Sequence, residues 1–137
     1  MKSINILLVE DDQLDTIDIR RSLDKINLVY NLHVAKNGEE AIQLLKGEGS
    51  LNGLPEVVLI DINMPRMNGL EFLEVIRSHP QWKELKCFIL TTSDEKVDRK
   101  TAQKLGVSGY IIKPLKLNSP ASIDAFNLMI DLMNMKN

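Results

Sequence analysis

Val57-Val58-Leu59-Ile60-Asp61-Ile62-Asn63-Met64-Pro65-Arg66-Met67-Asn68-Gly69 is the stretch on which the fold of this chain turns. Four successive apolar residues leave no polar face, so Val57 to Ile60 reads as a strand buried on both sides, and the run stops at an acid. Beyond the turn, Leu70, Leu73 and Ile76 recur at helical spacing, with Pro80 closing the helix. A doubly buried strand that hands over to an amphipathic helix is one unit of a parallel sheet. The segment from Asp61 also echoes the start of a calcium loop. Pro65 and Arg66 at its fifth and sixth positions and Phe72 at its twelfth exclude that reading.

The same unit recurs on either side. Apolar runs at Ile4 to Val9, Phe88 to Leu90 and Tyr110 to Ile112 predict further strands, and a weaker one at Leu32 to Ala35 makes five. Helical spacing appears at Ile19, Leu23 and Ile26; at Ala41, Ile42 and Leu45; at Val97, Thr101 and Leu105; and at Ile123, Phe126, Ile130 and Met133. Asn37-Gly38 breaks the chain before the second helix, Gly106 stands where a left-handed cap ends the fourth, and Ser119-Pro120 reads as the start of the fifth. Each helix then supplies the right-handed crossover of an α/β parallel sheet. The glycine-rich segment 46–55 reads as a surface loop and lacks the Lys-Ser/Thr signature of a phosphate-binding loop.

At 137 residues the chain has the length of one domain, and 44% hydrophobic with 26% charged residues is the composition of a globular one. Seventeen basic against nineteen acidic side chains leave a net charge of −2, which gives no positive field for nucleic acid or an anionic membrane. Cys87 is the sole cysteine, so neither an internal disulfide nor a thiolate metal knuckle is available. The apolar runs are too short for a secretory core or a membrane span, and a cytoplasmic location is expected. The two histidines, His33 and His79, lack a partner at ligand spacing.

Ligands of open parallel sheets gather at the carboxyl ends of the strands. Here those ends carry Glu10, Asp11 and Asp12; Asp61; Thr91 and Thr92; and Lys113 before Pro114. Carboxylates brought within about 5 Å repel by roughly 3 kcal/mol per pair at an effective dielectric near 20, so such a rim needs cations. Lys113 is one. The remaining donors are all oxygen, which favours Mg²⁺ or Mn²⁺ over Zn²⁺, with Mg²⁺ the best fit to a phosphate-bearing site. Asp61 is then placed to act as a nucleophile toward phosphorus, with Lys113 and Thr91 meeting the phosphate oxygens.

Four segments in order carry a resemblance: Leu8-Val9-Glu10-Asp11, Asp61 to Gly69, Leu90-Thr91-Thr92-Ser93, and Gly109-Tyr110-Ile111-Ile112-Lys113-Pro114. The chain resembles the receiver domain of two-component response regulators over essentially its full length. The resemblance implies a doubly wound, flavodoxin-like five-stranded sheet of order 2-1-3-4-5 with helices on both faces. It implies Asp61 as phospho-acceptor and Mg²⁺ held directly by Asp11 and Asp61, through water by Glu10 and by the backbone carbonyl of Asn63. It further implies Thr91 as switch hydroxyl, Tyr110 as switch aromatic, Lys113 as phosphate-pairing cation and a cis bond before Pro114. Glu10 departs from the aspartate many relatives have there. Asp12, one position on, is expected to cap the first helix.

A receiver of this kind takes its phosphoryl group from a histidine kinase or a phosphotransfer protein and signals by contact with a downstream protein, with a phosphorylation-linked homodimer also admitted. It is not an enzyme beyond slow self-phosphorylation and self-dephosphorylation. About 23 residues follow Pro114, enough for one helix, so a single receiver domain without an output domain is expected. The longer 46–55 loop and Thr91-Thr92-Ser93 faintly resemble the regulators that serve phytochrome-type kinases. Two rival readings remain: a haloacid-dehalogenase-like phosphohydrolase, in which Asp61-Ile62-Asn63 lacks the second acid, and a phosphate-independent docking module.

Overall fold

A computed structural model describes residues 3–26, 28–49, 51, 53–64, 66–92, 98–113 and 123–135, with the side chains of 123–126 and 129 excepted. The order of elements is β1 (Ile4–Val9), α1 (Gln13–Asp24), β2 (Tyr30–Ala35), α2 (Gly38–Leu45), β3 (Val57–Asp61), α3 (Gly69–Ser78), β4 (Lys86–Thr91), α4 (Arg99–Lys104), β5 (Gly109–Ile112) and α5 (Ile123–Met135). All strands are parallel, in the order β2-β1-β3-β4-β5.

β1, β3 and β4 are buried on both faces, whereas the edge strand β5, expected from its apolar run to be buried likewise, leaves Ile112 51% exposed and Tyr110 half-buried. Ile4, Ile6 and Leu8 of β1 join Val57, Leu59, Phe88 and Leu90 in one cluster, closed by Ile19 and Leu23 of α1 and Leu128 and Leu132 of α5. Leu7 and Val9 face the other way and join Val58, Ile60, Cys87 and Ile89 under α2 and α3, which contribute Ala41, Leu45, Phe72, Leu73 and Ile76. The strand period of two thus splits each run between two cores.

Helix ends follow local chemistry. Asp12 caps α1 by accepting from the backbone N–H groups of Leu14 and Asp15, as expected of it. Asn37 caps α2, and Asn68 with Glu71 closes a reciprocal box at the start of α3. Gly106 takes φ +69° just after α4, in the left-handed region that glycine enters without strain.

Three further expectations need correction. Among the described side chains of α5, Leu128 and Leu132 are buried, while Ile130 is exposed and Met133 only half-buried; the expected inward side chains of Ile123 and Phe126 fall outside the description. The apolar arc of this helix is wide, interrupted only by Asp124, Asn127, Asp131 and Asn134 along one side, so spacing alone did not select which part of it faces inward. Ile26 is buried but lies past the end of α1. The 46–55 loop is not wholly superficial, because Leu51 is buried against Ala35 and Leu45 and Pro55 is buried as well. Val97, Ser119-Pro120 and the bond before Pro114 fall outside the described residues.

Candidate functional site

Register brings the strand ends together. Val9 pairs with both Ala35 and Ile60, and Glu10 extends the ladder by donating its N–H to Ala35 O, so Glu10 emerges beside Asp61. Asp61 pairs with Leu90 and Thr91 with Ile112, and the Lys113 N–H then donates to Thr91 O at 2.8 Å. Residues far apart in sequence therefore meet at one rim because each ends a strand at the same level.

Carboxylate oxygens of Glu10, Asp11 and Asp61 lie within 4.8 Å of one another. Glu10 and Asp61 are buried and Asp11 is exposed, which gives the cluster one open side. The Lys113 ammonium reaches in from β5: Nζ donates to Glu10 Oε1 at 3.1 Å and to Asp15 Oδ2 at 2.9 Å, and stands 3.4 Å from Asp61 Oδ1. Burial pushes the Glu10 carboxyl up to about 8; its hydrogen bond with Asp61 and the charge there add to the rise, and Lys113 offsets part of it. Burial alone would lower the Lys113 ammonium, but its bond to Asp15 and the charges of Asp61 and Glu10 raise it above the usual lysine value. An all-oxygen set with two buried carboxylates and one exposed one fits a hard divalent cation, so Glu10, Asp11 and Asp61 can hold a metal ion.

The turn after Asp61 is held tightly. The Asn63 N–H donates to Asp61 Oδ1 at 3.2 Å, the same oxygen that Lys113 approaches. Gly69, where α3 begins, has no room for a side chain: a Cβ there would sit 2.6 Å from Asp61 O and 2.9 Å from Ile62 Cα. The glycine lets the helix start against the backbone of the proposed acceptor.

Thr91 is buried and its Oγ1 donates to Thr92 O at 3.2 Å. Tyr110 is half-buried, with its hydroxyl donating to Arg99 O at 3.3 Å and the Arg99 guanidinium 4.4 Å above its ring. Asn63 is exposed beside Asp61. The structure thus gathers Glu10, Asp11, Asp61 and Lys113 in one cluster and places Thr91 and Tyr110 on the adjoining β4 and β5. Asp15, which Lys113 approaches most closely, escaped the sequence reading; an acid in the first turn of a helix looks like an ordinary partner of the helix dipole.

Residues 6–121 match the family described as the response regulator receiver domain. This chain is a member of that family. It is 33% identical over 111 residues to the chemotaxis protein CheY1 of Helicobacter pylori, covering 81% of this chain and 86% of the relative. A two-component response regulator from Legionella pneumophila, 32% identical, superposes with a TM-score of 0.80 over 96% of this chain and 99% of its own. The bacteriophytochrome response regulator AtBRR, 31% identical, superposes with a TM-score of 0.79 over 97% and 94%. The Mn²⁺-bound form of the response regulator Rcp1, 29% identical, does so at 0.72 over 92% and 88%. The receiver domain serves two-component signalling, and the observed sheet order is that of its structural relatives. Among the described residues no helix is long and apolar enough to cross a membrane.

Proposed function

We propose that this receiver accepts a phosphoryl group on Asp61 from a histidine kinase or phosphotransfer protein, in the presence of Mg²⁺, and passes the signal on by protein contact. The observation that carries the reading is the cluster itself: three carboxylates within 4.8 Å, with the Lys113 ammonium 3.4 Å from Asp61 Oδ1. An Asp61 oxygen forms the new bond to phosphorus as the phosphorus–nitrogen bond of a phosphohistidine breaks; the electron pair stays on the imidazole nitrogen, which takes a proton. Phosphoryl transfer asks the protein mainly for alignment and neutralisation of the equatorial oxygens.

Asp11, Asp61, Glu10 through water and the Asn63 carbonyl would hold Mg²⁺, which when bound neutralises charge on the phosphoryl oxygens. That the related response regulator Rcp1 has a Mn²⁺-bound form supports a hard divalent ion as the partner of such a receiver. Lys113 supplies the second cation. Thr91, whose hydroxyl now meets a neutral carbonyl, gains a stronger acceptor in a phosphoryl oxygen, and Tyr110 on the adjoining strand can shift in response. The signalling surface is then formed by α4, β5 and α5.

A phosphohydrolase of the haloacid-dehalogenase type is disfavoured by Asn63, an amide where that chemistry needs an acid to protonate the leaving group. Incubation with acetyl phosphate and Mg²⁺, followed by intact-mass measurement, is expected to add one phosphoryl group to the protein and none to Asp61→Asn. Undiminished labelling of that variant removes Asp61 as acceptor. Absence of Mg²⁺ binding at millimolar concentration would favour the docking-module reading.

A further inference from the structure

We propose that Asp15 is the resting partner of Lys113, a positioning residue that holds the ammonium away from Asp61 until a phosphoryl group outcompetes it. The inference deepens the acceptor reading above and rests on it.

An ammonium has three N–H donors, and here its hydrogen bonds go to Asp15 Oδ2 at 2.9 Å and Glu10 Oε1 at 3.1 Å, while Asp61 Oδ1 lies farther off at 3.4 Å. Lys113 is therefore better bound to a carboxylate on α1 than to the acceptor itself.

The local structure of α1 shows why Asp15 is free to do this. Asp15 is the third residue of the helix after the cap Asp12, the position from which an acid normally reaches back to the cap's own N–H. In α3 the equivalent Glu71 does so, accepting from Asn68 N at 3.1 Å. In α1 the Asp12 N–H goes to Glu10 Oε2 at 3.3 Å instead, and the Asp15 carboxylate turns to Lys113. The box is opened, and its acid is lent to the site.

Asp15 is also suited to be abandoned. Its side chain keeps 31% of its exposure, against 5% for Asp61 and none for Glu10, so water can solvate it when Lys113 leaves. Transfer of the ammonium from Asp15 to a phosphoryl oxygen thus strands no buried charge. Asp15 lowers the gain from phosphorylation by the strength of one partly exposed ion pair.

The test is the affinity of Mg²⁺-fluoroberyllate, a non-hydrolysable stand-in for the phosphoryl group, for the full chain and its variants. Asp15→Asn is expected to bind it roughly fivefold more tightly, the factor that breaking an ion pair of about 1 kcal/mol yields. Asp15→Glu, which keeps the charge, is expected to stay within twofold of the parent. The same Asp15→Asn change in a Lys113→Ala background separates a role through Lys113 from plain repulsion of an anion: the first predicts that the gain disappears, the second that it persists. In NMR spectra of the parent, the Asp15 carboxyl carbon is expected to shift on fluoroberyllate addition as its ion pair is lost. An unchanged affinity of Asp15→Asn, or a full gain in the Lys113→Ala background, overturns the proposal while leaving Asp61 as acceptor. Failure of the parent to bind fluoroberyllate overturns both.

Discussion

Glu10 is a carboxyl group held where water cannot stabilise its charge, and its protonation should govern how the site takes a cation. Its folded value of about 8 lies above the ordinary 4.5, so the folded protein retains a proton that the unfolded chain gives up. The metal-free fold is then favoured below pH 4.5 and loses that advantage as the pH rises toward 8. A divalent ion competes with the same proton, so Mg²⁺ affinity should run the opposite way and climb across this window, with up to one proton released per ion bound. Titration calorimetry in two buffers of different ionisation heat measures that release. Glu10→Gln, which has no proton to give up, should flatten the pH dependence; a flat dependence in the parent would show that Glu10 does not face the ion. Glu10 and Asp61 were legible from sequence because each directly ends an apolar run. The Lys113–Asp15 contact was not, since it joins positions 98 apart in sequence and depends on which way a first-turn acid turns.

At the scale of elements, Arg77 does for the opposite end of the sheet what Lys113 does for the site. Standing on α3, its guanidinium donates to the carbonyls of Leu105, Gly106, Lys83 and Leu85, which ties the end of α4 and the lead-in to β4 to one side chain. The C-terminal end of α4 is thereby pinned, while its first turn is held by the Asp98 cap and by Arg99 on Tyr110. Arg77→Ala leaves those carbonyls without their donor and should lower stability by about 3 kcal/mol in urea unfolding. Arg77→Lys should recover less than half, because a compact ammonium cannot span four acceptors; a loss below about 1 kcal/mol in the alanine variant would mean that water replaces the guanidinium. Nothing in the spacing of Arg77 announced this role, since an arginine near the end of a helix is common. The central strands β1, β3 and β4, by contrast, were plain in the sequence, because burial on both faces demands unbroken apolar runs, whereas the edge strands β2 and β5 keep one side partly open. The burial of Leu128 and Leu132 on α5 was hidden by the wide apolar arc of that helix, within which packing in one cluster with Phe88, Leu90 and Ile111 selects them.

For the whole molecule, the sheet order turns the ends of β1, β3 and β5 into one charged rim, and folding must bring Glu10, Asp11, Asp15 and Asp61 around a single lysine. That arrangement opposes folding, since the acids are far apart and solvated in the unfolded chain. An ion that binds only the folded rim should therefore stabilise the entire domain. At Mg²⁺ ten times above its dissociation constant the linkage is about 1.4 kcal/mol, or a rise in Tm of roughly 3–6 °C for a chain of this size. Sodium chloride at matched ionic strength separates this from screening, which a net charge of −2 makes weak. Asp11→Asn gives the sharper contrast, because removing one of the crowded charges should raise Tm without metal while abolishing the response to Mg²⁺. The two melting curves should then cross as Mg²⁺ is added, and a variant that starts lower and still responds would place the ion elsewhere.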